Sequence, residues 1–358
     1  MTFRSKASGA ARKETIFVAV RLKDIAVDLG LSVVTVSKVL RHHPDIGENT
    51  RKRVLKRIKE LNYQPNLAAR SLITGQTWTI GIVVPDLLHP FFAQIAKGIS
   101  AEVRRKGYSL FISSSDDDPT LEEQEVGQLL ARRVDVLMIA SSLRTGEMFQ
   151  RIEEQGVPFI LLDRRIDGLD SNFVGVDDRA AGLLATQHLI EQGCRRIAHV
   201  RGPELSTAIG RMEGYRQGLA AANIRFHPED VVSIGQSGDH RGERGGYEAT
   251  RKLLANKNRP DGIFCFNDPA ALGTMRAILD AGLRIPEDIA VVGCGNFSYS
   301  DFLRVPLSSV DQGTDAIAKA AAGLALKLAH SKAVRRSRTQ LVAPQLVVRG
   351  SSLRKREK

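Results

Sequence analysis

The sequence has few of the residues that build disulfide frameworks or metal centres. Its three cysteines, Cys194, Cys265 and Cys294, include no close-spaced ligand pair, which indicates buried thiols in a reducing compartment. His42 and His43 are adjacent, but no other histidine or cysteine is spaced to complete a metal site with them. The sequence therefore predicts neither a metal site nor a cofactor.

Long apolar runs are also missing. No stretch approaches the roughly 18 to 20 apolar residues that a membrane-spanning helix needs. Near the start of the chain, IFVAV (16–20) is too short for the apolar core of an export signal. We therefore expect a cytoplasmic protein with no membrane partner and a disordered basic tail over residues 1–19.

Patterns typical of enzymes are missing as well. The stretch GCGN (293–296) lacks the third glycine of a dinucleotide-binding loop, and no serine or cysteine stands in a nucleophile elbow. We interpret Asp116, Asp117 and Asp118, which lie between a strand pattern and a helical pattern, as a solvated helix cap. An enzyme that uses a cleft in this chain is therefore an improbable alternative.

The charge of the chain is unevenly distributed. The formal net charge is +12, to which residues 1–76 contribute +9, residues 332–358 contribute +8 and residues 77–331 contribute −5. A mildly acidic body with two basic ends suits a polyanionic partner such as nucleic acid, although many basic tails only keep proteins soluble.

The stretch LKDIAVDLGLSVVTVSKVL (22–40) predicts two short helices separated by Gly30. The apolar face of the first helix is Leu22, Ile25, Ala26 and Leu29. Ser32 is placed to cap the second helix, which should bury Val36, Val39 and Leu40.

The second helix carries more apolar surface than its packing needs, because Val33 and Val34 stand beside the buried positions. With Val36 facing the core, steps of about 100° place Val34, Lys38 and Arg41 together on the opposite side. This combination suits a recognition helix in a major groove, where lysine reaches guanine acceptors and an apolar tip meets a thymine methyl. A solvated face with stray valines is the alternative.

A third helix is predicted from about Glu48 to Asn62, with Asn49 or Thr50 as its cap. Its predicted inner face is Val54, Leu55, Ile58 and Leu61. The segment PNLAARSL (65–72) is long enough for only two helical turns, which are marginal in water by themselves, and ITGQT (73–77) is typical of a linker.

Beyond the linker, apolar runs alternate with helical patterns. The first series is TIGIVVP (79–85), YSLFIS (108–113), VDVLMIA (134–140) and VPFILLD (157–163), and the second is RIAHV (196–200), DGIFCF (261–266) and DIAVVG (288–293). Such alternation predicts parallel, doubly wound α/β sheets. Two series indicate two lobes, with a cleft between them at the carboxyl ends of the strands.

These motifs together resemble the lactose/galactose-repressor (LacI/GalR) family. The similarity covers the helical stretch through IGENTRKRVLKRIKELNYQPNLAARSL and continues through TIGIVVPDLLHPFF, LLDRR, GVDDRAAG, GPELSTAIGRMEGY, FNDPAALG and LRIPEDIAVVG. It runs from about Val20 to about Val348. The resemblance implies a homodimeric or tetrameric transcriptional regulator that binds a pseudo-palindromic operator in double-stranded DNA. Its periplasmic-binding-protein-like body would sense a small molecule, with a sugar or sugar derivative as the first expectation.

The implied organisation is an all-α helix-turn-helix domain over residues 20–64, a hinge helix and linker over 65–77, and a two-lobed body over 78–350. The first lobe is expected to comprise about 78–177 and 309–338, and the second about 178–308 and 339–350. Residues 351–358 are expected to form a basic tail.

The resemblance also implies roles for individual residues in DNA binding. Val33, Val34 and Lys38 match base-reading positions, and Thr35 and Ser37 match positions that contact the DNA backbone. The hinge contributes Asn66, Ala69, Arg70 and Leu72. Leu72 matches a leucine that wedges into the minor groove and kinks the DNA; packing of Leu72 on the body is the alternative.

In the body, the positions that match effector contacts are Phe91, Phe92, Asp163, Thr207, Arg211 and Asn267. Alternatively, the phenylalanines belong to the core, Asp163 caps a helix and Asn267 fixes a turn. The chain departs from the family at Gly295, where relatives often have an acidic residue, and at Ile209, where many have an arginine. In addition, His240 or Arg241 stands where relatives often have an aromatic residue.

These departures leave the effector class open between a neutral sugar and an anionic sugar derivative, with a non-sugar metabolite as a third alternative. A cation near Arg211 would favour the anionic class. A solute-binding protein for a transporter is the remaining alternative to a regulator, since its body would look similar, but it would carry an export signal instead of a helix-turn-helix.

Overall fold

The computed structural model describes residues 20–40, 43–64, 71, 75–143, 146–235, 242–330 and 337–354. The chain divides into two units, residues 1–76 and residues 77–358. No helix in these described ranges is both long and apolar enough to cross a membrane.

Three helices form the described part of the first unit: α1 (Leu22–Leu29), α2 (Val33–Leu40) and α3 (Glu48–Glu60). As predicted, α1 ends at Gly30, whose φ of 65° is a left-handed conformation that glycine adopts readily. The Ser32 hydroxyl caps α2 by accepting a hydrogen bond from the Thr35 N–H at 3.0 Å. The helices enclose a small buried core of Ile25, Ala26, Val36, Val39 and Val54.

Three expectations for this unit are wrong in detail. Leu40 is only partly buried, and Leu55 is 40% exposed. Successive helical side chains point about 100° apart, so only Val54 of the pair Val54–Leu55 can face so small a core. The residue that precedes α3 is Gly47, which places Asn49 and Thr50 inside the first turn and not at the cap.

Two sheets of six strands form the framework of the second unit. The strands are β1 (Thr79–Val84), β2 (Ser109–Ser114), β3 (Val136–Ile139), β4 (Phe159–Leu162), β5 (Asn172–Val176), β6 (Ile197–Arg201), β7 (Val231–Ser233), β8 (Gly262–Cys265), β9 (Ala290–Cys294), β10 (Ser308–Asp311), β11 (Thr339–Val342) and β12 (Gln345–Val347). All seven apolar runs that predicted strands overlap one of these, whereas β5, β7, β10, β11 and β12 were not predicted.

Each sheet belongs to one lobe. The first lobe has the order β11–β5–β4–β3–β1–β2, and the second has β12–β10–β9–β8–β6–β7. The paired strands are parallel except for β10 and β12. The arrangement confirms the prediction of two doubly wound lobes.

Helices cover both faces of both sheets. They are α4 (Pro90–Arg104), α5 (Pro119–Ala131), α6 (Glu147–Glu154), α7 (Asp178–Glu191), α8 (Ser206–Ala221), α9 (Glu243–Ala255), α10 (Asp268–Asp280) and α11 (Thr314–Ala329). In the first lobe, α4 and α11 pack on one face and α5 and α6 on the other. In the second lobe, the corresponding pairs are α9 with α10, and α7 with α8.

Two expected lobe boundaries differ from the structure. Strand β10 (Ser308–Asp311) belongs to the second sheet and β11 (Thr339–Val342) to the first, so the chain changes lobes after each of these strands and not before it. Strand β10 can bury two serines because their hydroxyl groups have hydrogen-bond partners elsewhere in the chain. The Ser308 hydroxyl donates to the Arg349 carbonyl at 2.9 Å, and the Ser309 hydroxyl donates to Asp268 at 2.5 Å.

Residues 351–354 do not form a tail, contrary to expectation. Ser351 and Ser352 are fully buried in the second lobe. The Ser351 hydroxyl donates to the Val291 carbonyl at 2.6 Å, and the Ser352 hydroxyl lies 2.7 Å from Nε2 of His188. These bonds attach the segment to β9 and α7.

Candidate functional site

Helix α2 presents apolar side chains outward at its N-terminal end. Val33 is 42% exposed and Val34 is 62% exposed, while Val36 and Val39 are buried. Thr35, Ser37 and Lys38 are partly buried on the same short helix. An exposed apolar tip next to a cation is the surface that the recognition-helix interpretation requires.

The lysine of this surface has a partner within its own unit. Its Nζ lies 2.6 Å from Oδ2 of Asp45, and Nδ1 of His43 lies 2.6 Å from Oδ1 of the same carboxylate. The hydrogen bond from Lys38 is the main reason why the pKa of Asp45 lies below its usual range. Arg41 and the hinge residues Asn66, Ala69, Arg70 and Leu72 lie outside the described residues.

In the second unit, a cavity of about 720 Å³ lies between the two lobes. Six of the residues expected to contact an effector line it: Phe91, Phe92, Asp163, Thr207, Arg211 and Asn267. They converge because each follows the carboxyl end of a parallel strand, where open α/β sheets place their ligand sites. The phenylalanines begin α4 after β1, Asp163 follows β4, and Asn267 precedes α10 after β8.

Of the three other expected positions, one is absent from the described lining and two are not described. Gly295 is buried and does not line the cavity; a Cβ built there would lie 2.7 Å from the Phe297 ring. Phe297 therefore fills the space in which an acidic side chain would stand. His240 and Arg241 lie outside the described residues, although the preceding Ile234 and Gly235 line the cavity.

Asp163 carries a hydrogen-bond acceptor that the described part of the chain does not use. It is 7% exposed, and its Oδ1 is buried and has no hydrogen-bond partner among the described residues. Its φ of 62° is unusual for a residue other than glycine, and such conformations are concentrated at functional sites. Burial raises the pKa of Asp163 against the opposing effect of Arg211 and Arg164.

Arg211 lines the cavity, and its guanidinium group is also fixed by hydrogen bonds within the second lobe. Its Nε donates to Oδ1 of Asp178 at 2.9 Å, and its NH1 donates to the Phe266 carbonyl at 2.6 Å. The guanidinium carbon also lies 4.7 Å from the centre of the Phe266 ring. Burial raises the pKa of Asp178 to about 7, against the lowering effect of Arg211.

The sequence interpretation missed several lining residues. Arg164 donates to Asp117 at 2.6 Å, and both residues line the cavity. Of the acidic run 116–118, therefore, Asp117 faces the cavity, while Asp118 caps α5 as expected. Arg164 stands in the quoted motif LLDRR, directly after Asp163, and that adjacency was the available signal.

His89 is a further missed residue, and it joins the lobes. Its Nε2 lies 3.3 Å from Nδ2 of Asn267, and its Nδ1 is buried with no partner in the described ranges. Burial lowers the pKa of His89 to about 4, with help from Arg164 and Arg211, so the ring is neutral at pH 7. A second link between the lobes is the hydrogen bond of 2.8 Å from the Arg165 N–H to the Ser206 hydroxyl.

The described parts of the chain contain no cluster of three or more histidine, cysteine or acidic side chains that could hold a metal ion. The cysteine thiols are buried, and burial raises the pKa of Cys194, Cys265 and Cys294 to about 12.

Two family models match the chain. Residues 21–66 match the bacterial regulatory proteins of the lacI family, and residues 186–352 match a periplasmic binding protein-like domain. Over 336 residues the chain is 32% identical to the HTH-type transcriptional repressor PurR of Haemophilus influenzae (strain PittEE), covering 92% of this chain and 98% of that protein. The chain belongs to the LacI family. It is a DNA-binding transcriptional regulator controlled by a small-molecule effector, and it is not an enzyme.

Other relatives of this LacI-family regulator span nearly its whole length. The ribose operon repressor of Escherichia coli (strain K12) is 32% identical over 336 residues, covering 92% of this chain and 99% of that repressor. The lac repressor dimer bound to operator and the anti-inducer ONPF has a TM-score of 0.83 at 28% identity, covering 94% of this chain and 100% of that one. The regulator CelR in complex with cellobiose has a TM-score of 0.70 at 29% identity, covering 93% of this chain and 99% of that one.

Proposed function

We propose that this regulator is a cytoplasmic homodimeric repressor whose effector is a neutral, hydroxyl-rich molecule of the sugar class. The observation that carries the choice of effector is the unused Oδ1 of Asp163 in the cavity. A carboxyl oxygen without a partner is a hydrogen-bond acceptor, and the hydroxyl groups of a ligand can donate to it.

The charges of the lining favour a neutral ligand over an anionic one. The described lining contains the carboxylates of Asp86, Asp117, Asp163 and Glu204 and the guanidinium groups of Arg164 and Arg211. Both guanidinium groups already bind a carboxylate within the protein, Asp117 and Asp178 respectively. An anionic ligand would have to compete with these carboxylates for the guanidinium groups, and it would be repelled by any ionised carboxylate of the lining.

The aromatic residues of the lining suit the apolar faces of a sugar ring. Phe91, Phe92 and Phe266 all line the cavity, and the Phe91 and Phe92 rings pack edge to face with centroids 5.1 Å apart. Pockets that combine aromatic walls with a few fixed polar groups are typical of small-ligand sites. The cellobiose bound to CelR and the name of the ribose operon repressor agree with this class.

We further propose that DNA binding is dimeric and directed at a pseudo-palindrome. The base-reading side chains would be Val33, Val34 and Lys38. Thr35 and Ser37 would contact the DNA backbone, and Arg41 would lie on the same side of the helix as Lys38. One helix of eight residues reads too few base pairs for selectivity, so two copies are needed. The structure of the lac repressor dimer on its operator is consistent with this mode.

A thermal-shift screen tests the effector proposal. Neutral monosaccharides and disaccharides are compared with their uronic acids and phosphate esters, each at the same concentration. A ligand at one hundred times its Kd stabilises the folded state by about 2.7 kcal/mol, which raises Tm. We expect hits among the neutral compounds and loss of their shift in Asp163→Asn; hits confined to the anionic compounds would contradict the proposal.

A further inference from the structure

The loop between α2 and α3 brings one carboxylate to two basic side chains. Asp45 lies 2.6 Å from Lys38 through one oxygen and 2.6 Å from His43 through the other. The side chains of Lys38 and Asp45 are 34% and 46% exposed. The cluster therefore lies at the surface, next to the exposed valines of α2.

Backbone hydrogen bonds fix the position of this loop. The His43 N–H donates to the Lys38 carbonyl at 3.0 Å, and the Arg51 guanidinium donates to the His43 carbonyl at 2.8 Å. These bonds anchor the start of the loop to α2 and α3 without using the Asp45 side chain. Asp45 is thus held beside Lys38 by the fold of the loop.

An exposed ion pair of this kind is weak and opens readily. It affects DNA binding because Asp45 competes with the DNA for the Lys38 ammonium. A lysine that forms no ion pair within its protein increases the affinity for DNA by contacting any phosphate, because electrostatic contacts to the DNA backbone are independent of sequence. A lysine that is already neutralised gains less from a phosphate, and the Asp45 carboxylate also repels the phosphates around it.

We propose that Asp45 is a specificity-determining residue, which holds the Lys38 ammonium toward the base edges and suppresses its use in non-specific phosphate contacts. The inference rests on the proposed function, in which Lys38 reads a base. Guanine presents two acceptors in the major groove that a directed lysine can reach. Lys38 therefore gains by leaving Asp45 only where the matching base pair offers such acceptors.

The test compares Asp45→Asn with the unmodified full-length protein on three kinds of duplex: the best site from a binding-site selection, that site with single base-pair changes, and a random-sequence duplex. We expect Asp45→Asn to bind the random duplex several-fold more tightly and to lose discrimination at one base pair per half-site. The salt dependence on the random duplex should steepen by about 0.9 in log–log slope per protomer.

Asp28→Asn is a closely matched control. Asp28 pairs with Arg57 in the same unit, and these side chains are 43% and 34% exposed, so the substitution removes the same charge from a comparable environment. An equal change in both variants would reduce the role of Asp45 to overall charge and overturn the inference. A uniform loss of affinity in Asp45→Asn on all duplexes would also overturn it, because it would show a structural role.

Lys38→Ala separates failure of the inference from failure of the proposed function. If Lys38→Ala leaves base preference unchanged, the proposed base-reading role of Lys38 is wrong and the inference fails with it. If Lys38→Ala relaxes the preference at one base pair but Asp45→Asn does not, the proposed function stands and the inference alone is overturned. The double variant should show no effect of Asp45→Asn beyond that of Asp28→Asn.

Discussion

Arg211 and Asp178 form a buried ion pair behind the cavity wall, with Nε of the arginine 2.9 Å from Oδ1 of the aspartate. Both side chains are nearly inaccessible, at 4% and 12% exposure. The arginine that sequence reasoning assigned to the effector is therefore also a structural link between α8 and the start of α7. This structural role limits what a substitution of Arg211 can show about effector binding.

Arg211→Ala should destabilise the protein by about 3 to 5 kcal/mol, because it leaves the Asp178 carboxylate buried without its partner. Urea denaturation followed by circular dichroism measures this change. Arg244→Ala is the control, since Arg244 and its partner Glu248 form an exposed pair on α9, and its effect should stay within about 0.5 kcal/mol. Equal effects of the two substitutions would show that the Arg211–Asp178 pair adds nothing to stability.

Asp163→Asn should behave in the opposite way. The buried Oδ1 has no partner among the residues that the structure describes, so replacing the carboxyl group by a neutral amide should stabilise the effector-free protein at pH 7 by about 1 to 3 kcal/mol. The same substitution should weaken effector binding, because the amide replaces one of the two acceptor oxygens of the carboxyl group by a donor NH2 group. Denaturation and calorimetric titration with a hit from the screen measure the two effects.

The stability gain of Asp163→Asn should depend on pH. Burial raises the pKa of Asp163 above 3.8, so below about pH 4 its carboxyl is protonated in both folded and unfolded states. As pH rises through the raised pKa, the unmodified protein loses stability that the variant keeps. The difference in free energy of unfolding should therefore be small near pH 4 and grow toward pH 8; a difference that shrinks with pH would contradict the assignment.

Val34→Ala and Lys38→Ala should each relax preference at particular base pairs, at a cost of about 1 to 3 kcal/mol on the preferred site. Competition binding on a panel of singly substituted sites measures this preference. Lys52→Ala is the control, because Lys52 is 75% exposed on α3 and has no predicted base contact. If Lys38→Ala weakens all sequences alike, Lys38 contacts a phosphate.

Leu72→Ala should weaken binding to the selected site far more than binding to random DNA. The family resemblance implies that this residue inserts into the minor groove. Such an insertion is favourable only where the DNA kinks at the centre of the site. Fluorescence anisotropy on both duplexes measures the ratio. An equal loss on the two duplexes would assign Leu72 to packing.

Local patterns predicted the helices of the first unit well because its core is simple. Gly30 and Ser32 act through backbone conformation and capping, which depend on neighbouring residues alone. Leu55 was assigned inward because periodicity gives the direction of a side chain but not the depth of the core that it meets. The Lys38–Asp45 pair depends on the fold of a loop and was not predictable from spacing.

In the second unit, apolar runs identified the central strands, whereas the polar and edge strands were missed. Ser308 and Ser309 can be buried in β10 only because Arg349 and Asp268 accept their hydrogen bonds from distant parts of the chain. Motifs at strand ends predicted six of the described lining residues, namely Phe91, Phe92, Asp163, Thr207, Arg211 and Asn267. His89 and Asp178 were missed because their roles arise from partners more than 30 residues away, Asn267 and Arg211.

Control of operator binding by the cavity is tested most directly by titrating a neutral effector from the screen into the complex of the full-length regulator with its selected operator. The coupling between two sites typically changes affinity about 5- to 150-fold. We predict a change of operator Kd in this range for the unmodified protein. For Asp163→Asn we predict the same operator Kd without effector and no change at an equal effector concentration. A change of equal size in both proteins would contradict the assignment of effector recognition to this cavity.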